Sequence, residues 1–161
     1  MKIYTASSWR NQIYPTVVNL LKSLGHEVYD FRQEISTGGK QVAFNWEQVD
    51  PEWEDWDTQF FIDRLADSQL AINAFNADHG GMQWADVCLL ITPSGNSSHI
   101  EAGYMKGLGK PLYIFMSELT QRPDLTYKLA DKIFISLDDV RDFFKSVKKS
   151  KRIKPMKPVR R

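Results

Sequence analysis

The sequence contains very little cysteine. Cys88 is the one cysteine among 161 residues, so no internal disulfide can form, and a reducing compartment suits the chain. No apolar run approaches the roughly 20 residues that a membrane-spanning helix needs. The opening segment MKIYTASSWR lacks the apolar stretch of a secretion signal. We therefore expect a cytoplasmic protein without a membrane partner.

Motifs for metals and cofactors are also scarce. The chain has three histidines, and neither His79 nor His99 has a second histidine or a cysteine at a metal-ligand spacing. It contains neither a G-x-G-x-x-G run nor a Walker sequence. We therefore predict no metal site and no cofactor.

The chain as a whole has almost no net charge, but one end is strongly basic. The formal net charge is only +1, yet residues 145–161 carry nine Lys or Arg and no acid, which leaves 12 basic against 20 acidic residues elsewhere. This segment reads either as a solvated, flexible terminus or as an arm that binds nucleic acid or an acidic neighbouring subunit.

What is present is an alternation of strand and helix patterns. The apolar run VCLLI is typical of a strand buried on both faces, and the opening strand, helix and strand favour a parallel sheet. We predict an α/β fold, a three-layer sandwich with a five-stranded parallel sheet in the flavodoxin-like manner. The predicted strands are 2–6, 26–31, 87–91, 112–116 and 132–136, and the predicted helices are 12–24, 57–75, 98–108 and 137–147.

The length and the 42% hydrophobic content indicate one domain with a sizeable core. We predict that this domain covers residues 1–147 and that a basic, flexible tail follows over 148–161. Residues 32–56 interrupt the alternation with two glycines, a proline and three tryptophans. This insert, with short helical pieces, is either an ordinary loop packed on the body or an active-site lid.

Two loops are expected to form a ligand site, because such sheets bind ligands beyond the carboxyl ends of their strands, at the switch point. Arg10, after the first strand, could clamp a phosphate or a carboxylate. The loop after VCLLI presents hydroxyls and backbone N–H groups at a helix start, which suit a phosphate or a sugar. The candidate substrate-binding residues are Ser7, Ser8, Trp9, Arg10, Ser94, Gly95, Asn96, Ser97 and Ser98.

Three acids lie near these loops. Ser98 and Glu101 match the S-x-x-E capping box, so Glu101 is a helix cap, an acid that faces the crevice, or both. Asp78, just before Gly80-Gly81, belongs to a turn or to a catalytic loop. Asp86 precedes the apolar strand and reads as a turn or strand-edge residue.

Three patches between residues 2 and 116 carry a resemblance to a known family. They are Ile3-Tyr4 with Trp9, Asn76-Ala77-Asp78, and IEAGYMKGLGKP over 100–111. These patches are similar to segments of the nucleoside 2-deoxyribosyltransferase superfamily, which includes the deoxynucleoside 5′-monophosphate N-glycosidases.

The resemblance implies a role for three side chains. Glu101 would be the nucleophile, Asp78 the acid at the nucleobase, and Tyr4 the hydroxyl that orients the nucleophile. It also implies a homo-oligomer, because members of this family commonly complete the site from a neighbouring subunit.

Cleavage of an N-glycosidic bond suits these residue types. A carboxylate can stabilise or trap the positive centre at C1′, and a second acid can give the departing base a proton or a hydrogen bond. The transferases carry an acid shortly before the nucleophile, where this chain has Gly95-Asn96 in a serine-rich loop. This difference favours a nucleotide. We therefore expect a (deoxy)nucleoside or deoxynucleoside 5′-monophosphate to be cleaved, by hydrolysis or by 2-deoxyribosyl transfer.

Other interpretations stay open. A flavodoxin-like domain with one glutamate in its crevice also resembles the TIR-type NAD glycohydrolases, which release nicotinamide. The crevice could instead bind a nucleotide without turnover, as a sensor. Binding of nucleic acid through residues 145–161 is a further alternative.

Overall fold

The computed structural model describes residues 1–32, 44–118 and 124–150, the last three of them by backbone alone. Strands and helices alternate, with two helices in succession between the second and third strands. The elements are β1 (Lys2–Ala6), α1 (Tyr14–Ser23), β2 (Glu27–Tyr29), α2 (Thr58–Asp67), α3 (Gln69–Trp84), β3 (Val87–Ile91), α4 (Asn96–Gly107), β4 (Leu112–Phe115), β5 (Lys132–Phe134) and α5 (Leu137–Ser150).

The five strands form one parallel sheet in the order β2-β1-β3-β4-β5. The chain moves outward in opposite directions from the central pair, β1 and β3, which are in register from Ile3 with Val87 to Ala6 with Leu90. This is the flavodoxin-like order, so the predicted fold class is confirmed. The switch point lies between β1 and β3, where a ligand site is expected.

Successive side chains of the central strands pack into opposite layers. Ile3 and Leu89 lie in a core that α1 and α5 cover. Tyr4 and Leu90 lie in a second core, with side chains of α3 and α4. All of β3 is buried, as predicted for a strand covered on both faces. No helix of the described ranges is both long and apolar enough to cross a bilayer.

The segment before β3 differs from the prediction of one helix over 57–75 followed by a loop. Two helices meet at Ser68, whose extended backbone ends α2 and whose hydroxyl accepts a 3.4 Å hydrogen bond from the N–H of Ala71 in α3. Because α3 continues to Trp84, Asp78 lies in the middle of a helix. The prediction that Asp78 belongs to a turn or a catalytic loop was therefore wrong.

Two contacts fix the last part of α3, one at its second glycine and one at its end. A side chain at Gly81 would collide with the ring of Tyr29, so this glycine allows a close approach to the sheet. Lys110 donates hydrogen bonds to carbonyl oxygens at the helix end, those of Met82, Gln83 and Ala85, at 2.7, 2.7 and 2.6 Å. A cation there satisfies carbonyl groups that the helix itself cannot pair.

The start of α4 also differs from its prediction. Gly95 is the N-cap, in an extended conformation (φ −87°, ψ −176°), and the first helical residue is Asn96. Ser98 therefore lies within the first turn, and its hydroxyl donates to the backbone oxygen of Ser7 at 2.8 Å. The predicted capping box between Ser98 and Glu101 was wrong, and Glu101 lies in the second turn.

The described part of the insert, residues 44–56, contains two 3-10 helices, Trp46–Gln48 and Trp53–Asp55. The prediction of short helical pieces is confirmed for this part. The ring of Trp46 packs edge-on against Trp56, at 5.6 Å between centroids, and against Phe61 of α2, at 5.5 Å. A role as a lid stays a prediction, and residues 33–43 lie outside the described residues, as do residues 151–161 of the basic tail.

Candidate active site

The two predicted ligand loops lie side by side and are tied together by a buried asparagine. The Asn11 amide nitrogen donates to Ser7 Oγ at 3.0 Å and to the carbonyl oxygens of Ile91 and Pro93, both at 3.1 Å. Asn11 also accepts a 3.0 Å bond from the N–H of Ile13. The loop after β1 and the loop after β3 are therefore held together at the switch point of the sheet.

Two of the predicted binding serines also take part in this framework. Ser7 Oγ donates to the carbonyl oxygen of Ile91 at 2.8 Å, and Ser98 donates to the carbonyl oxygen of Ser7. A hydroxyl has one hydrogen to donate. These two hydroxyls can thus meet a ligand only as acceptors unless the framework opens.

Glu101 faces the sheet from the second turn of α4. Burial, and then the charge of Asp78, raise the pKa of its carboxyl to about 7, while a hydrogen bond from the Tyr4 hydroxyl acts in the opposite direction. Tyr4 itself is 1% exposed. Its burial, together with the charge of Glu101, raises the pKa of the hydroxyl above its usual range, so the phenol keeps its proton and donates.

Asp78 faces the same region from the third turn of α3. Its Oδ1 accepts a 2.9 Å hydrogen bond from the Tyr29 hydroxyl. Burial raises the pKa of this carboxyl, and the bond from Tyr29 partly offsets that rise. Asp78 and Glu101, called the acid pair below, therefore interact directly through their charges. The structure brings together all three predicted catalytic side chains, Tyr4, Asp78 and Glu101.

Tyr29, which was not predicted as a candidate residue, also contacts two of these side chains, Tyr4 and Asp78. It lies opposite Tyr4 in the pairing of β1 with β2, and the two rings are stacked, with centroids 5.0 Å apart and 12° between their planes. The signal was present in the sequence, since HEVYDF was predicted as a strand. Nothing local, however, indicates that this tyrosine lies beside Asp78, which is 49 residues later.

Most of the remaining predicted residues of the first loop are exposed. Trp9 is 48% exposed and packs edge-on against Phe31, with ring centroids 5.1 Å apart. Arg10 is exposed, and its backbone N–H donates a 3.1 Å hydrogen bond to Ser8 Oγ. Arg32, which was not predicted, donates to the carbonyl oxygens of Ser8, Trp9 and Asn11 at 2.8, 2.6 and 3.0 Å and so holds this loop.

The second loop presents the start of α4 to solvent. Gly95, Asn96 and Ser97 are exposed, whereas Ser94 is buried. The N-cap has no side-chain hydrogen bond, so the first N–H groups of the helix remain available to an anion. His99 Nδ1 donates a 2.8 Å hydrogen bond to the Gly95 carbonyl oxygen, and His99 Nε2 shares a 3.0 Å hydrogen bond with the Tyr127 hydroxyl. These two bonds fix the position of the loop relative to Tyr127.

The structure also shows the position of Asp86 and of the side chains that could bind a metal. Asp86 accepts a 2.8 Å bond from the N–H of Lys2, which confirms it as a strand-edge residue. Among the described residues there is no cluster of three or more His, Cys, Asp or Glu side chains that could hold a metal ion.

Comparison with known proteins identifies the fold. No protein-family model matches the sequence, and no curated protein matches it at a significant level. Among solved structures, a 2-deoxyribosyltransferase from the psychrotolerant bacterium Bacillus psychrosaccharolyticus superposes with a TM-score of 0.60 over 88% of this chain and 91% of its own, at 21% identity. The chain shares the fold of that 2-deoxyribosyltransferase.

Two further structures are similar. A conserved protein from Enterococcus faecalis V583 gives a TM-score of 0.56 at 14% identity, over 91% of this chain and 98% of its own. A CMP N-glycosidase from Clostridium botulinum, BcmB, gives a TM-score of 0.49 at 12% identity, over 92% of this chain and 99% of its own. The resemblance seen in the sequence thus extends to the fold of a 2-deoxyribosyltransferase.

Proposed function

We propose that the protein is an enzyme that cleaves the N-glycosidic bond of a (deoxy)nucleoside or a deoxynucleoside 5′-monophosphate. One observation carries this proposal: a half-buried glutamate, Glu101, with a pKa of about 7 and a hydrogen bond from Tyr4, lies beside a second half-buried acid, Asp78. Paired acids with shifted pKa values near a strand-end crevice are typical of catalytic sites. The 2-deoxyribosyltransferase neighbour with the same fold supports the same kind of chemistry.

In the first step, a carboxylate oxygen of Glu101 attacks C1′ of the sugar. The C1′–O bond forms as the C1′–N bond breaks, the bonding electrons pass to the base nitrogen, and the base accepts a proton from Asp78. In the second step, water or a second base attacks C1′ and releases the Glu101 carboxylate. Water makes the enzyme a hydrolase, and a second base makes it a transferase. The proton that the attacking group loses returns to Asp78.

This scheme places one proton on the acid pair. In the free protein, the charge of Asp78 raises the pKa of Glu101, so below about pH 7 the shared proton resides on Glu101. The reactive form has it on Asp78, which leaves Glu101 ionised beneath the sugar and Asp78 ready to protonate the base. The two carboxyls then act as one titrating unit, and passage of the proton between them prepares both for the reaction.

The start of α4 supports a phosphorylated substrate. Exposed Asn96 and Ser97 occupy its first two positions, and no side chain caps the helix, so a 5′-phosphate could accept bonds from its N–H groups. Exposed Arg10 could contact the same phosphate from the loop after β1. Exposed Trp9 offers a flat ring on which a nucleobase could stack.

The test is chromatography of four substrate classes incubated with the protein: deoxynucleosides, deoxynucleoside 5′-monophosphates, ribonucleotides and NAD. Wild type should release free base from a deoxynucleoside 5′-monophosphate, and Glu101→Gln should release none. Nicotinamide release from NAD would instead assign an NAD glycohydrolase. Tight nucleotide binding without any release, unchanged in Glu101→Gln, would replace the enzyme with a sensor. Addition of a second free base separates transfer from hydrolysis.

The homo-oligomer, the cytoplasmic location and nucleic-acid binding by the tail stay predictions. Ile100, Tyr104 and Leu108 follow one face of α4 and are 72, 38 and 46% exposed, as on a face that a second copy covers. Light scattering coupled to size-exclusion chromatography measures the number of copies directly. Binding to DNA or RNA with and without residues 145–161, at two salt concentrations, tests the tail.

A further inference from the structure

We propose that Tyr29 is a positioning residue of the acid pair: its hydroxyl fixes the carboxyl of Asp78 and controls which of the two acids holds the shared proton. This inference rests on the proposed function for its catalytic meaning. It assigns a part in the reaction to a side chain outside the sequence motifs that first pointed to the site.

Tyr29 is held at three points, so its hydroxyl has little freedom. Its ring stacks on the buried ring of Tyr4 at 5.0 Å between centroids. Its carbonyl oxygen accepts a 2.6 Å bond from Thr5 Oγ1. Its ring also lies so near Gly81 that a β-carbon there would come within 2.6 Å of two ring carbons. A hydroxyl held in this way orients the carboxylate that it meets, here at 2.9 Å from Asp78 Oδ1.

The stacked rings serve the two acids separately. Tyr4 donates to Glu101, and Tyr29 donates to Asp78. Each bond favours the ionised form of its own acceptor. The balance between the two bonds therefore decides which carboxyl gives up its proton first. With Tyr29 in place, Asp78 ionises first and the proton stays on Glu101.

Several titratable groups face the acid pair from the elements packed around Asp78. Glu101 faces it from α4, and Tyr4 and Tyr29 face it from β1 and β2. Cys88 of β3 lies near Glu101, and burial keeps its thiol protonated by raising the pKa. His79, the next residue along α3, bonds instead to Tyr104 at 2.9 Å. Among the residues that the structure describes, Tyr29 is thus the side chain that donates a hydrogen bond to the Asp78 carboxylate.

Tyr29→Phe is the variant that isolates the hydroxyl, because phenylalanine keeps the ring against Tyr4 and Gly81. The first measurement is the titration of the Asp78 carboxyl by NMR, in protein labelled with carbon-13 at aspartate carboxyls and assigned with Asp78→Asn. We expect the Asp78 midpoint to move upward in Tyr29→Phe, because the carboxylate loses a donor. The matched control is Tyr113→Phe, which removes a hydroxyl from β4 of the same sheet and should leave that midpoint unchanged.

The second measurement is steady-state base release across pH. We expect kcat of Tyr29→Phe to fall about tenfold with KM nearly constant, because the Tyr29 hydroxyl no longer stabilises the Asp78 carboxylate that forms as the base takes its proton, whereas substrate binding is unchanged. The dependence of kcat on pH should also differ from that of wild type, which a purely structural role would not produce.

An unchanged Asp78 midpoint in folded Tyr29→Phe would overturn the inference, as would a moved midpoint with unchanged kcat. The titration needs no turnover, so it also separates the two claims. If wild type releases no base from any substrate, the proposed function fails, and the NMR titration alone then decides whether Tyr29 controls the proton on Asp78.

Discussion

Asp78 on α3 and Glu101 on α4 lie near enough that the charge of Asp78 raises the pKa of Glu101. The two helices meet the same face of the sheet, and the desolvation that excludes water from the pair also makes ionised Glu101 unfavourable. The ionised Glu101 carboxyl is therefore less stable in the folded protein at neutral pH than in the unfolded chain. Such a conflict between stability and chemistry is common at catalytic sites.

Glu101→Gln should make the protein more stable at alkaline pH. The carboxyl has a pKa of about 7 in the folded protein against its usual 4.5. Between these values the unfolded chain loses its proton first, so stability falls as pH rises from about 4.5 to 7 and stays low above 7. We expect the variant to be on the order of 2 kcal/mol more stable at pH 8 and no more stable than wild type at pH 4.5. Urea unfolding at both pH values measures this.

The exposed Glu27 of β2 provides the control for that experiment. Glu27→Gln should leave the free energy of unfolding nearly unchanged at pH 8. A loss of stability in Glu101→Gln at pH 8 would show that ionised Glu101 stabilises the fold, which contradicts the burial argument.

Tyr4→Phe should shift the pH dependence of base release. In the proposed mechanism the acid pair must keep one proton, so wild-type kcat/KM should fall as pH rises through the Glu101 pKa of about 7, where the pair loses that proton. Loss of the Tyr4 hydroxyl removes a bond that favours the carboxylate, so the midpoint should move to higher pH and the plateau should fall about tenfold. The measurement is kcat/KM from pH 5 to 9. A midpoint that stays in place would contradict the assignment of Glu101 to this limb.

The local sequence predicts the sheet and both ligand loops because their signals are short-range. VCLLI is apolar throughout, and helix spacing marks α1 and α5. Both acids of the candidate site were also predicted from the sequence, through the resemblance at Asn76-Ala77-Asp78 and around Glu101. The local sequence does not predict where the helices that carry those acids, α3 and α4, begin and end.

The errors share a physical cause, which is that tertiary contacts override local signals. Gly80-Gly81 resembles a turn, yet the ring of Tyr29 needs the space that Gly81 leaves. Ser98 resembles a helix cap, yet its hydroxyl bonds to Ser7, which lies 91 residues earlier. Lys110 follows the predicted end of α4, yet its ammonium group caps α3. None of these partners can be inferred from neighbouring residues.

The adjacent glycines of α3 should respond in opposite ways to alanine. Nothing lies within 4 Å of a β-carbon built on Gly80, so Gly80→Ala should stabilise the helix by about 0.5–1 kcal/mol. At Gly81 the same carbon would lie 2.6 Å from the Tyr29 ring, so Gly81→Ala should destabilise the protein by about 1–3 kcal/mol. Thermal unfolding of both variants gives the comparison. Equal effects would mean that Tyr29 does not pack against α3.

Lys110→Met should destabilise the protein through the end of α3. The ammonium donates to three carbonyl oxygens, and methionine keeps most of the apolar stem but none of the bonds. We expect a loss of about 2 kcal/mol. Lys106→Met is the matched control, because Lys106 pairs with Asp131 at 2.8 Å on the surface and its loss should be near 0.5 kcal/mol. Urea midpoints that fall equally would rule out a capping role.

Asn11 should tolerate substitution less well than any surface asparagine, because one side chain joins both ligand loops. Asn11→Ala removes the donor to Ser7, Ile91 and Pro93 and leaves the buried Ile91 carbonyl oxygen without that partner, so we expect a loss of about 2–3 kcal/mol. Asn11→Asp keeps the size but turns an acceptor toward those carbonyl oxygens, and should cost at least as much stability. Asn19→Ala, on the exposed side of α1, should change it by less than about 0.5 kcal/mol. If Asn11→Asp unfolds at the wild-type urea concentration, the amide does not join the loops.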